Sequence, residues 1–208
     1  MKPSIYLIGV GTYTEVIIEL ARDCGYEVKG LYHSKADRVG EVVFGVKILA
    51  STDELFKKSL KGESFAVTVG NNLMRQNIAI KLRELGGFTP NLIHPTVMIS
   101  KSAKTGVGCL IHFNACIWTN AKIGNDCVLS PNAMIAHHAT MGNGCSVAPF
   151  SVVGAYSKIG NRVLFGINSV VLSKELSLGD DCLVGAKANV TKSYGANTTL
   201  VGNPARPI

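Results

Sequence analysis

IHFNACIWTNAKIGNDCVLSPNAMIAHHATMGNGCSVAPFSVV, residues 111–153, decides the fold, because an apolar residue returns at every sixth position: Ile111, Ile117, Ile123, Leu129, Ile135, Met141, Val147 and Val153. Outward from this stretch the series runs back to Ile99 and Ile93, with Thr105 as its one break, and forward to Ile159, Phe165 and Val171. After a slip of one residue it resumes at Leu178, Val184 and Val190. The position two before each repeat residue is small, as at Ala103, Cys109, Ala115, Ala121, Cys127, Ala133, Ala139, Cys145, Ser151 and Ser157. Two series in phase exclude an accidental pattern.

A period of six matches neither the 3.6 of a helix nor the 2 of a strand. It matches a short strand plus a corner, three of which close a triangular coil of eighteen residues. Gly106, Gly124, Gly142 and Gly160 recur at that spacing, each just after a repeat residue, where the corner is expected to need a residue without a Cβ. The repeat residues then point inward and coils stack at the β spacing of about 4.8 Å. The expected architecture is a left-handed parallel β-helix of hexapeptide repeats over residues 91–208.

Residues 1–90 have a different rhythm. Ser4–Gly9 predicts a strand, Thr14–Cys24 a helix, Glu27–Tyr32 a strand, Phe65–Val69 a strand and Asn71–Leu85 a helix stopped by Gly86 and Gly87. This alternation implies a small α/β domain with a Rossmann-like βαβ start. The loop Gly9-Val10-Gly11-Thr12-Tyr13-Thr14 matches part of a dinucleotide fingerprint. Thr14 stands at its third glycine, and the second strand ends in Leu31-Tyr32-His33 without a ribose-binding acid, which excludes a nicotinamide cofactor.

The 208 residues are 47% hydrophobic and 17% charged, a globular composition, and the apolar runs are too short to span a bilayer. Met1 to Gly11 has no small-residue cleavage pattern, so a protein without signal peptide or membrane insertion, located in the cytoplasm, is expected. The net charge of +7 is not gathered into a stripe with aromatic residues, which argues against nucleic acid. Residues 91–208 carry 9 Lys/Arg against 4 Asp/Glu, so that half favours an anionic ligand. Cys109, Cys127 and Cys145, eighteen apart, and Cys182 after the slip fall on the small inward position. They are expected to be stacked, buried, reduced core thiols, and no metal is expected. His94 and His112, also eighteen apart, are expected to stack at one corner in a structural role.

The glycine turn at Gly9, Val69-Gly70-Asn71-Asn72, the junction Asn91-Leu92-Ile93-His94-Pro95, the repeat array, and the tail Val201-Gly202-Asn203-Pro204-Ala205-Arg206 span nearly the whole chain. In these motifs the sequence resembles the bacterial hexapeptide-repeat sugar acetyltransferases, the family of the bacillosamine-pathway N-acetyltransferase and the sialic acid O-acetyltransferases. The resemblance implies a homotrimer with acetyl-CoA in a groove between neighbouring β-helices. It also implies an acetyl-CoA-dependent N-acetyltransferase acting on an amino group of a nucleotide-linked deoxyamino sugar, in surface-glycan assembly such as that of lipopolysaccharide O-antigen. Two alternatives stand beside it: an O-acetyltransferase on a sialic-acid-like or other sugar hydroxyl, and a non-catalytic β-helix binding module.

His137 lies two residues past the inward Ile135, so its side chain is expected to point outward at a corner. A neutral imidazole there suits removal of a proton from the acceptor, and the resemblance aligns it with the family's general base. His138 stands where the family carries an acid. Its side chain is expected to diverge from the groove, and Ser146 occupies the place of a second family histidine. Backbone N–H groups of Gly154 and Ala155, one coil on, are the candidate oxyanion donors. Gly166, Gly185, Ala186, Asn203, Pro204 and Ala205 are the candidates for holding the cofactor. By the resemblance Gly9, Gly11, Thr12, Tyr13 and His33 take the nucleotide part of the substrate, with Thr12-Tyr13-Thr14 in place of a Gly-His-Gly segment and His33-Ser34 in place of acidic residues.

Overall fold

In the computed structural model, which describes residues 2–208, the chain forms two compact units, Met1–Leu92 and Ile93–Ile208. Met1, the first residue of the expected 1–90 segment, lies outside the described residues.

The first unit is a five-stranded sheet of β1 (Ser4–Ile8), β2 (Glu27–His33), β3 (Val42–Val43), β4 (Val46–Ser51) and β5 (Phe65–Val67), with helices α1 (Thr12–Asp23), α2 (Thr52–Leu55) and α3 (Asn72–Glu84). The strand order is β3-β4-β2-β1-β5, parallel except for the antiparallel β3–β4 hairpin. That hairpin has no long apolar run. It turns at Phe44 and Gly45, both at positive φ, the geometry that suits the twist of a tight hairpin. β1 and β5 are short and mostly apolar, as strands covered on both faces require, whereas β2 and β4 also carry Glu27, Lys29, His33, Lys47 and Ser51. Ile5, Leu7, Ile8, Leu31, Ile48 and Phe65 are fully buried. The Asn71 side chain caps α3 by accepting from the Met74 N–H at 2.9 Å.

The second unit is the left-handed β-helix, a triangular prism of two-residue rungs. Along its faces the rungs from Met98–Ile99 to Val152–Val153 pair in parallel with the rung eighteen residues on, as in Cys116↔Met134, Lys122↔Thr140 and Val128↔Ser146. The slip appears as a register of nineteen, Ile159↔Leu178, absorbed at the corner where Glu175 takes a positive φ. Inward repeat residues form one continuous core from Ile111 to Leu200. Ile99 departs from this expectation at 36% exposure, because its rung is the edge strand of its face.

The glycines stand at the corners for a reason other than turn conformation. Gly106, Gly124, Gly142 and Gly160 have no positive φ; a Cβ on any of them would come within 2.4–2.8 Å of the next coil. The left-handed conformation falls two residues later, at Gly108, Asp126, Gly144 and Arg162. The other corners from Asn114 to Lys187 repeat it, commonly with asparagine (Asn114, Asn120, Asn132 and Asn168, φ 56 to 59°), which tolerates that region better than most residues. Between coils, Asn125, Asn143 and Asn161 form a side-chain ladder in which the Asn125 N–H donates to Asn143 Oδ1 at 2.8 Å and the Asn143 N–H to Asn161 Oδ1 at 2.9 Å.

Cys109, Cys127, Cys145 and Cys182 are buried, whereas Cys24 and Cys116 are partly exposed. The first three thiols point to carbonyls of the next coil, those of Gly124, Gly142 and Gly160, at 3.2–3.3 Å. The hydrogen-bonded Cys127 thiol, and then burial, push the Cys109 thiol well up, which keeps it protonated and unreactive. His112 is buried, and that burial, with His94 second, lowers its pKa to about 4, so it is a neutral member of the structure.

Candidate active site

Backbone geometry at one corner of the prism assembles the site. Asn120, His138 and Tyr156, eighteen apart, all adopt the left-handed conformation, with φ 57, 60 and 62°. Their side chains therefore leave successive coils at equivalent points and form a column. The main chain holds the column by donation from the His138 N–H to the Thr119 carbonyl (2.9 Å) and from the Tyr156 N–H to the His137 carbonyl (3.3 Å).

His137 sits beside the column, half-buried, between two aromatic side chains. Its ring meets Trp118 on the preceding coil and Tyr156 on the following one, each edge-on with centroids 5.3 Å apart. Such edge-to-face contacts fix a ring's orientation without removing its nitrogens from hydrogen bonding. The expected divergence of His138 is not what the structure has. The two Nδ1 atoms lie 3.2 Å apart, and the His138 ring stacks on Tyr156 at 5.0 Å and 16°. The left-handed corner is the cause, because it carries the His138 ring alongside its neighbour instead of away from it. Asp126, the one carboxylate of residues 91–174, is buried at another corner, and Ser146 lies on the face that follows Asp126.

The backbone groups named from the sequence are mostly committed to the ladder. Gly154 donates its N–H to the Val171 carbonyl at 2.9 Å, which removes it as an oxyanion donor, whereas the Ala155 N–H ends on a side chain, Ser173 Oγ, at 2.9 Å. Rotation of one serine χ1 frees the latter. Gly166 and Gly185 likewise donate to the carbonyls of Val184 and Leu200, both at 2.7 Å, so their amides do not grip a ligand. Their lack of a side chain matters instead at Gly166, where a Cβ would lie 2.5 Å from the Ala186 nitrogen. Ala205 is fully buried, donates to Asn189 and accepts from the Tyr194 hydroxyl, which makes it part of the end of the core and not a ligand contact. Ala186, Asn203 and Pro204 remain exposed.

In the first unit a cavity of about 360 Å³ opens over the ends of β1 and β5. It is lined by Gly9, Gly11, Thr12, Tyr13 and His33, the residues assigned from the sequence, together with Ser34, Thr68 and Gly70. Gly9 has φ 107° and no space for a Cβ, with Thr68 Oγ1 at 2.9 Å. Thr14 is buried. Its hydroxyl accepts from the Gly11 N–H at 2.9 Å and lies 3.1 Å from the Gly9 carbonyl, tying the loop where a dinucleotide site would have its third glycine. Burial pushes the Tyr13 phenol up to about 12, against the pull of the Arg75 guanidinium, so it enters the cavity as a neutral hydroxyl. His33 Nδ1 lies 3.1 Å from the Lys35 N–H and 3.3 Å from the Lys35 carbonyl, so the following turn holds the ring whichever nitrogen carries its proton.

Sequence reasoning passed over Trp118, Asn120 and Tyr156. The signal for two of them was the coil length itself, since Asn120 and Tyr156 lie one coil before and one coil after His138.

Residues 4–82 match the family model described as the PglD N-terminal domain, and residues 120–155 match the bacterial transferase hexapeptide model. Among solved structures, the fold is similar to a perosamine N-acetyltransferase from Caulobacter crescentus, bound to CoA and GDP-perosamine. Identity is 27% and the TM-score 0.91, over 99% of this chain and 97% of that one. A histidine-to-asparagine variant of that enzyme, in complex with the same two molecules, matches at 26% identity and a TM-score of 0.92, over 99% and 96% of the two chains. The acetyltransferase domain of PglB from Neisseria gonorrhoeae, in complex with acetyl coenzyme A, shares the fold at 24% identity and a TM-score of 0.90, over the full length of both.

Proposed function

The chain belongs to the bacterial hexapeptide-repeat sugar acetyltransferases, and from that premise we propose that it transfers the acetyl group of acetyl-CoA to an amino group of a nucleotide-linked deoxyamino sugar. The observation that carries the assignment to this chain's own residues is the half-buried His137 imidazole, held edge-on between Trp118 and Tyr156 at an outward corner of the β-helix. The first unit takes the nucleotide part of the substrate in the cavity around Gly9, Gly11, Thr12, Tyr13 and His33. The β-helix carries the chemistry.

The acceptor nitrogen attacks the thioester carbonyl, a C–N bond forms, and His137 Nε2 accepts the proton that the nitrogen must lose. Collapse of the tetrahedral intermediate breaks the C–S bond, and the proton on His137 passes to the departing CoA thiolate. The Ala155 N–H is the donor that can meet the oxyanion once Ser173 Oγ turns away. Asn203, Pro204 and Ala186 are the exposed candidates for contact with CoA. The test is a thiol-release assay over nucleotide-linked amino sugars, free amino sugars and sugar hydroxyls. Turnover is expected on a nucleotide-linked amine; turnover confined to hydroxyls would replace the reading by O-acetylation, and binding of acetyl-CoA without turnover on any acceptor would refute it.

We propose a homotrimer, supported by the large apolar side chains that the β-helix leaves exposed, Phe113, Phe150 and Ile167 at one corner and Trp118 and Tyr156 at the next. Surfaces of this kind are normally covered, and flat prism faces close naturally around a threefold axis. Light scattering is expected to give about 66 kDa, three chains of 22.1 kDa; a mass near 22 kDa at micromolar concentration would refute the assembly. No helix among the described residues is long and apolar enough to cross a membrane. Acetyl-CoA as the donor supports a cytoplasmic reaction that supplies N-acetylated sugars for surface-glycan assembly, lipopolysaccharide O-antigen included.

A further inference from the structure

The base needs a particular tautomer, and the structure contains the groups that select it. For His137 Nε2 to take a proton, the ring proton must reside on Nδ1, and Nδ1 faces His138 Nδ1 at 3.2 Å. Two neutral imidazoles in that contact share one proton, so one donates and the other accepts. The choice is passed outward, because His138 Nε2 lies 3.1 Å from Asn120 Nδ2, an atom that half a turn of the amide exchanges with Oδ1.

Two arrangements satisfy the chain. In one, the Asn120 amide donates to His138 Nε2, His138 Nδ1 donates to His137 Nδ1, and His137 carries its proton on Nε2, where it cannot act as a base. In the other, the amide is turned by half a revolution, its Oδ1 accepts from His138 Nε2–H, and His138 Nδ1 accepts from His137 Nδ1–H. His137 Nε2 is then a free lone pair. A half-turn of an amide exchanges its oxygen and nitrogen with little change in shape. The three side chains therefore form a relay with one competent setting.

Resting on the reading of His137 as the base, we infer that His138 and Asn120 are positioning residues that replace an acid. Asn120 Oδ1 accepts from His138, His138 accepts from His137, and the imidazolium formed during transfer is held by that chain. The column keeps the relay in line. Asn120 and His138 project from equivalent left-handed corners, and Tyr156 stacks under the His138 ring. Of the groups packed against the pair, Trp118 and Asn120 do not titrate, and Tyr156 does so only as a phenol.

Asn120→Asp and Asn120→Gly separate the possibilities, since aspartate can only accept, and both residues fit the left-handed corner. If Oδ1 accepts, Asn120→Asp keeps or raises kcat. Asn120→Gly lowers kcat by roughly 5- to 10-fold, the usual worth of one hydrogen bond, with little change in KM for acetyl-CoA. His138→Glu should retain activity and move the acidic limb of the pH–rate profile, which a merely structural residue would not do. ¹⁵N NMR of histidine-labelled protein gives a readout free of turnover, with His137 in the Nδ1–H form in the parent and Asp variants and mixed in the Gly variant. Equal losses in the Asp and Gly variants would mean that the amide donates, and no change in either variant would mean that there is no relay; each overturns the inference. His137→Ala keeps the two readings apart. Activity lost there but unchanged in every Asn120 and His138 variant refutes the relay alone, whereas activity retained in His137→Ala refutes the base itself.

Discussion

His137→Ala lowers kcat by roughly 10²–10⁴-fold, the usual worth of a positioned general base, while the affinity for acetyl-CoA stays nearly unchanged. The geometry dictates the split. The imidazole is held by Trp118 and Tyr156, whose rings do not depend on it for their own coils, so its removal leaves the ladder intact. A loss in kcat and kcat/KM together marks an interaction made in the transition state. His138→Ala is expected to cost less, because the base remains and only its partner is lost. Steady-state kinetics beside calorimetric titration with acetyl-CoA checks both; a variant whose affinity fell as far as its rate would place His137 in cofactor binding instead.

Phe165→Ala is expected to lower stability by about 3–5 kcal/mol, a fall in Tm of roughly 6–20 °C for a chain of this size. Phe165 is fully buried, and its rung lies between those of Val147 and Val184 along one face. A prism with one inward side chain per rung has no neighbouring residue able to swing into the space, so the cavity persists. Leu164, next to it on the outward side, is 40% exposed, and its truncation is expected to cost less. Differential scanning calorimetry of the two variants is the check, and equal losses would contradict the assigned rung orientation.

Much of the β-helix was legible because its periodicity is covalent. Two residues in six must point inward, the repeat residue and the small one two before it, and the sequence shows the repeat from Ile93 to Val190, slip included. The corners were harder, because the glycines at 106, 124, 142 and 160 mark a close approach between coils while the left-handed turn is carried two residues later by Asp126, Arg162 and others. The β3–β4 hairpin escaped notice because Val42-Val43 and Val46–Ser51 are too short and too interrupted to show a period. At the site, the position of His137 follows from counting, but the contact between His137 and His138 depends on a φ of 60° that composition does not announce. The amides of Gly154, Gly166 and Gly185 looked available only because a sequence does not show which N–H groups the next coil consumes.

The last strand, Arg206–Pro207, runs antiparallel to Thr199–Val201, against the direction of every rung before it. A stack of parallel coils has no intrinsic length, since the final coil offers the same row of unpaired amides and carbonyls on which each earlier one was built. Another molecule could extend it as readily as its own chain. Reversal of chain direction presents a mismatched edge, proline withholds an amide hydrogen there, and Ala205 with the Tyr194 hydroxyl seals the core beneath. Extension of the ladder from this edge of the face is thereby blocked.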